Sequence, residues 1–207
     1  MELITKKIQA INILTALFCQ PENDILAGKD IYIHLQNALK DFSDNAFESA
    51  TKLNELYNQK SEIENLADYT KIFMGPFEAI AHPYSSVYFG ERTLMNDTTE
   101  WVLRFYNETG VGYDEEMKDM PDHLVIELEF LYHLNFHLLE SINNNDLEQM
   151  KFFYERETEF FNKHFAVWIP IFCKKIYEFP INDFYTELAK CLEHFVNDYK
   201  IYKPFNN

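Results

Sequence analysis

Glycine is nearly missing from this chain, with five in 207 residues beside seven prolines. A β-sandwich or barrel of this length needs many more turn residues, so the shortage argues for helices. Cysteine is also scarce: Cys19, Cys173 and Cys191 lie far apart in apolar contexts, with no CxxC pair. That excludes a disulfide scaffold and reads as reduced core thiols in a cytoplasmic protein. No apolar run approaches the ~18 residues needed to span a bilayer. The N-terminus places Lys6 and Lys7 ahead of an apolar stretch, but Gln9 and Asn12 interrupt it and no small-residue cleavage site follows. It therefore reads as a first amphipathic helix rather than a signal peptide. Positive charge is short too: 18 Lys and Arg against 34 Asp and Glu give a net charge of −16. With no basic cluster, nucleic acid and anionic membrane are repelled. A basic peptide suits such a surface, although an acidic surface can also serve solubility alone.

Catalytic signatures are missing as well. There is no GxSxG elbow, P-loop or GxGxxG turn, and no cysteine in an active-site context. His133 and His137 stand four apart, with Glu129 four before His133, a spacing that zinc sites use. Yet HExxH is absent and no Glu has a His three residues later, so ordinary helix histidines are the better reading. Glu127 and Glu129 point to different helix faces and form no acid/base pair. Neither an enzyme nor a bound cofactor is expected.

What is abundant is ring surface: aromatics make up 16% of the chain, with 19 Phe and 13 Tyr. The length fits one domain, residues 1–207. Helical spacing of Leu3, Ile4, Ile8, Ile11, Leu14, Leu17 and Phe18 ends at Pro21. Weaker helical segments follow at 29–41 and 44–59. Ser61 and Glu64 match a capping box, opening a helix that presents Ile63, Leu66, Tyr69 and Phe73 and stops at Gly75-Pro76. Residues 75–121 hold four of the five glycines and three of the seven prolines. A short helix at about 98–108 interrupts them, with Asp97 as its cap and Gly110 as its stop. The strongest helix follows, with Pro121 at its first position and Asp122 complementing its dipole. Three more helical stretches close the chain, one starting or bending at Pro170. The expectation is an all-α, compact multi-helical bundle with an elaborate central loop region. Residues 110–120 form a possible hinge, compatible with a monomer or a domain-swapped dimer.

The central stretch 68–90, "DYTKIFMGPFEAIAHPYSSVYFG", breaks twice yet carries six rings. Tyr84, Tyr88 and Phe89, with Phe73 and Phe77, either fold onto the core or line a groove for a peptide. The acid and imidazole of Asp122-His123 either cap a helix or accept hydrogen bonds from an arginine fork.

These residues resemble the TorD/DmsD/NarJ family of molybdoenzyme-maturation chaperones. "DYTKIFMGP" with "HPYSSVY" is similar to the family's tyrosine–phenylalanine–GP helix end and P-Y-x-S-x-Y loop. "MPDHLVIELEFLYHL" is similar to its PDH-led helix with glutamates. "FNKHFAVWIPIFCKKI" is similar to its late helix, a histidine followed by tryptophan and proline. Order and spacing agree over roughly residues 60–180, while the first 60 carry no diagnostic motif. The resemblance implies an all-helical TorD-like fold and no turnover. It also implies binding to the twin-arginine signal peptide, and sometimes the body, of a molybdenum-containing oxidoreductase precursor, holding it for cofactor insertion before export. The peptide-facing residues it implies are Tyr69, Phe73, Gly75, Pro76, Pro83, Tyr84, Ser86, Tyr88, Pro121, Asp122 and His123. The competing classes are a nucleotide-dependent enzyme and a metal-binding helical protein built on His133 and His137.

Overall fold

The computed structural model describes residues 1–21, 26, 28–75, 79–90, 94–112 and 119–203. Among them nine α-helices and no β-strand occur: α1 (Glu2–Phe18), α2 (Lys29–Leu39), α3 (Asp44–Tyr57), α4 (Glu62–Tyr69), α5 (Asp97–Glu108), α6 (Leu124–Asn143), α7 (Leu147–Phe160), α8 (Ala166–Glu178) and α9 (Asp183–Asn197). The all-α expectation holds. Short polar side chains start most of these helices by accepting an orphan backbone N–H: Ser43, Ser61, Asn96, Asp146 and Asn182 each do so. Ser61 and Glu64 form the full capping box.

Several local expectations are corrected. Asn96, not Asp97, caps α5, its side chain accepting from Thr98 N at 2.9 Å. Pro121 and Asp122 lie ahead of α6 rather than in its first turn, because His123 is the cap, its Nδ1 accepting from Val125 N at 3.2 Å. Ile63 is 80% exposed, while Asn65 takes the buried position on α4, donating to the Tyr57 carbonyl at 3.0 Å. Cys19 is exposed; only Cys173 and Cys191 are core thiols. Of the two expectations for Pro170 only the helix start is excluded: α8 begins one turn ahead of it, and the proline lies inside the helix. Of the 110–120 hinge, residues 113–118 lie outside the described residues.

Two π-turns interrupt the helical ladder, Thr70–Met74 after α4 and Phe161–Phe165 between α7 and α8. Such wide turns are rare and cluster at functional sites. Each falls inside a motif singled out above.

The chain divides into two compact units. One comprises Met1–Asn12, Tyr84–Trp168 and the C-terminal tail. In it α6 packs along α7, with Leu128, Leu131, Leu134, Leu138, Phe153 and Phe160 excluded from water. Its core also contains an ion pair, Lys7 Nζ to Glu157 Oε1 at 2.6 Å, with both side chains 0% exposed. Burial pulls the Lys7 ammonium below the usual lysine range, and Glu157 opposes that shift. The other unit comprises Ile13–Pro83 and Ile169–Tyr199. There α3 lies against α9 and α2 lies beside α3, around the rings of Tyr32, Tyr57, Phe184 and Tyr185. Asn182 ties α9 to α4 by donating to Asn65 Oδ1 and to Asp68 Oδ2, at 3.3 and 2.8 Å.

Candidate functional site

The loop 84–90 is built by hydrogen bonds that its own sequence cannot close. Ser85 N donates to the Asp122 carbonyl at 2.9 Å, giving an isolated antiparallel bridge between Tyr84 and His123. The Asp122 carboxylate, 0% exposed, accepts from Ser86 N at 3.0 Å through one oxygen and from the Thr99 hydroxyl at 3.2 Å through the other. Asn96, having capped α5, also donates to the Ser86 carbonyl at 3.0 Å. The buried Pro121 accepts at its carbonyl from Tyr106 OH at 2.8 Å. A buried carboxylate survives only where donors meet it. Asp122 therefore clamps the loop from beneath and is not free for an arginine fork in this conformation.

Above the clamp the surface is aromatic and half-buried. The Tyr84 ring meets His123 edge-on at 5.0 Å and 72°. Its hydroxyl points at exposed Asp119, 3.4 Å away and at the long limit for a hydrogen bond. Burial, with Asp119 and Asp122 adding to it, pushes the Tyr84 hydroxyl up to about 12. Burial also lowers the His123 imidazole below its usual range, against the pull of Asp119 and Asp122. A neutral ring agrees with Nδ1 acting as the acceptor that caps α6.

One turn along α6 stands a second buried carboxylate, Glu127. It accepts from Trp168 Nε1 at 2.9 Å and pairs with His164 Nε2 at 2.7 Å. The π-turn Phe161–Phe165 carries His164, and Trp168 follows four residues later. The loop rings rest on this pair: Tyr88 stacks on Trp168 at 5.5 Å and Phe89 on His164 at 5.2 Å. Trp101 of α5 also meets His164, at 5.0 Å and 31°. Beside the loop opens a cleft of about 310 Å³ lined by Phe89, Asp97, Thr98, Trp101, Lys163 and His164. Two clamped carboxylates thus hold a ring-faced loop in place. The hydroxyls of Ser85 and Ser86, both buried, find no partner among the described residues.

The remaining expected residues fall in the other unit. Tyr69 and Phe73 are core rings, 6% and 3% exposed. Tyr69 OH donates to the Phe18 carbonyl at 3.3 Å, and Phe73 packs among Phe18, Tyr69, Phe172 and Tyr185. Gly75 ends the π-turn at φ 49°, a left-handed conformation that favours glycine. Pro83 is buried, and Pro76 and Phe77 lie outside the described residues. Glu127, His164, Trp168 and Trp101 are not among the site residues expected from the sequence, whereas Phe89 is one of the candidate groove rings. The signals were present: a Glu four residues after His123, and a His–Trp pair at helical spacing. The histidines of the zinc-like spacing, His133 and His137, instead pack against each other and Phe153. No group of three metal-ligating side chains occurs among the described residues.

The nitrate reductase delta subunit profile matches residues 39–174. The chain is 32% identical over 145 residues to the chaperone protein TorD of Vibrio parahaemolyticus, covering 68% of this chain and 65% of that one. It is 27% identical over 152 residues to TorD of Vibrio cholerae, covering 72% and 66%. These matches span just under two thirds of the relatives' own length. A crystal structure of a candidate redox enzyme maturation protein from Archaeoglobus fulgidus shares the fold, with a TM-score of 0.55, 18% identity and 93% of each chain covered. The chain belongs to the nitrate reductase delta subunit family, which includes chaperones of the TorD type. Among the described residues no helix is long and apolar enough to cross a membrane.

Proposed function

We propose that this protein is a molybdoenzyme-maturation chaperone that binds the twin-arginine leader of an oxidoreductase precursor in the cytoplasm. It holds the precursor until its cofactor is inserted and thereby delays export, with no turnover of its own. The observation that carries this reading is the ring-faced loop 84–90, propped on two buried carboxylates and bordered by acid. A leader pairs cationic residues with an apolar stretch, so its receptor needs ring surface and negative charge side by side. Tyr84 and Tyr88 supply contact surface, while the buried Ser86, Pro121, Asp122 and His123 shape it. In the other unit Tyr69 and Phe73 hold up the π-turn that ends at Met74 and Gly75, with Pro83 following. Met74 is 57% exposed there, apolar surface of the kind a peptide covers. The names of the relatives and the charge of −16 support the reading.

The test is co-elution on a sizing column with a carrier protein bearing a twin-arginine leader. The complex should form with the intact leader and disappear when the leader is deleted. Equal retention of both carriers, or of neither, would remove the reading.

A further inference from the structure

The cleft beside the loop forms one end of a ladder of rings. Trp101 lies 4.3 Å from Phe105 and 5.0 Å from His164, and Phe89 stacks on His164 at 5.2 Å. At the Phe105 end the protein fills the ring face itself. The Arg156 guanidinium sits 5.3 Å from the Phe105 centroid and is held by Glu108 at 2.8 Å and Glu159 at 3.2 Å. The other end repeats the same elements without an occupant from the chain's described residues: half-buried Trp101 and Phe89 as walls, and the exposed Asp97 carboxylate at the rim. Among the described residues lining the cleft, Lys163 is the one ammonium, and Glu159 engages it at 3.0 Å. Asp122, which a peptide arginine could otherwise seek, is buried and committed to Ser86 and Thr99.

We propose that this cleft is the guanidinium subsite of the leader-binding surface: a peptide arginine lies flat on Trp101 and Phe89 and pairs with Asp97. The proposal rests on the leader-binding reading above and assigns the arginine to α5 rather than to the start of α6. A guanidinium fits where an ammonium does not, because its plane stacks on a ring while its fork meets a carboxylate. An anion would face Asp97 and the further acid Glu100 in the first turn of α5. A purely apolar side chain would leave that charged rim unanswered.

The test uses two synthetic peptides, one with two adjacent arginines ahead of a leucine–alanine stretch, the other with lysines in their place. Wild type should bind the arginine peptide roughly tenfold more tightly, the scale of a desolvated cation–ring contact with an ion partner. In Trp101→Leu and in Asp97→Asn that ratio should fall to about one. Asp97 is exposed, so its variant keeps the test sound if loss of Trp101 disturbs folding. An undiminished ratio in Asp97→Asn overturns the subsite while leaving leader binding intact. An equal loss for both peptides in Trp101→Leu would make the cleft an apolar pocket and also overturn it. Weaker arginine-peptide binding in Lys163→Gln would mean an anion site, with the same consequence. If wild type binds neither peptide, the leader-binding reading falls and the subsite goes with it.

Discussion

Replacing Asp122 should loosen the loop 84–90 in proportion to the hydrogen bonds removed. The carboxylate is 0% exposed and has two neutral donors, Ser86 N at 3.0 Å and Thr99 Oγ1 at 3.2 Å. Asparagine keeps one carbonyl oxygen for Ser86, and the Thr99 hydroxyl can turn to accept from its amide. The change then exchanges two charge-assisted bonds for two neutral ones and relieves the cost of a buried charge, for a net loss of about 1 kcal/mol. Alanine removes both bonds and leaves the Ser86 N–H unsatisfied, for a loss of about 3 kcal/mol. Urea unfolding gives the totals, and hydrogen exchange at the Ser86 amide gives the local effect. Protection there should fall modestly in Asp122→Asn and strongly in Asp122→Ala, with peptide affinity following the same order. If Asp122→Ala keeps wild-type stability and Ser86 protection while both variants lose affinity equally, Asp122 contacts the peptide directly and the clamp is wrong.

Glu127→Leu should cost about 2–4 kcal/mol by stranding His164 and the Trp168 indole N–H, both buried, and should shift the tryptophan emission; Glu127→Gln should cost less than half of that. Lys7→Met should cost about 3–5 kcal/mol in chemical denaturation, since it leaves Glu157 charged in the core, whereas the double variant Lys7→Met with Glu157→Leu should recover most of the loss. For His123 the folded imidazole lies below its ordinary value of 6.5, chiefly through burial. The unfolded chain therefore takes up the proton first, so this stabilisation is full above about pH 6.5 and declines as pH falls through the depressed folded value. His123→Gln should flatten that part of the decline in urea midpoints measured between about pH 7.5 and about pH 5.5, leaving the His133 contribution, whose imidazole is lowered in the same sense. Gly75→Ala should cost about 1–2 kcal/mol in thermal unfolding, because φ 49° strains any residue with a Cβ.

Helix identity was legible because period and caps are local properties. The apolar spacing of α1 and the Ser61–Glu64 box each need only a few neighbouring residues. Boundaries failed where a side chain had a distant use. Asp122 looks like a first-turn acid until Ser86 and Thr99, far away in sequence, claim its oxygens. Pro121 looks like a first helical position until His123 takes the cap. Asn65 outranks Ile63 for burial because the Tyr57 carbonyl needs a donor. The π-turns at Thr70–Met74 and Phe161–Phe165 left no trace in the periodicity, since one extra residue per turn resembles ordinary scatter. The loop residues Tyr84, Ser86 and Tyr88 were visible as a motif, but the brace under them was not. Glu127, His164 and Trp168 are 41 residues apart at most in sequence and are joined only by folding.

The claim that the rings of loop 84–90 receive a leader is tested most directly by calorimetric titration. The probe is a synthetic twin-arginine leader peptide, measured against wild type and Tyr84→Ala at low and high salt. Tyr84 is half-buried and braced by His123, so its loss should leave the fold intact and remove mainly apolar contact. Affinity should fall by about 1–3 kcal/mol, and by nearly the same amount at both salt concentrations. Wild-type affinity in Tyr84→Ala at both salts, with the peptide still bound, would contradict the claim.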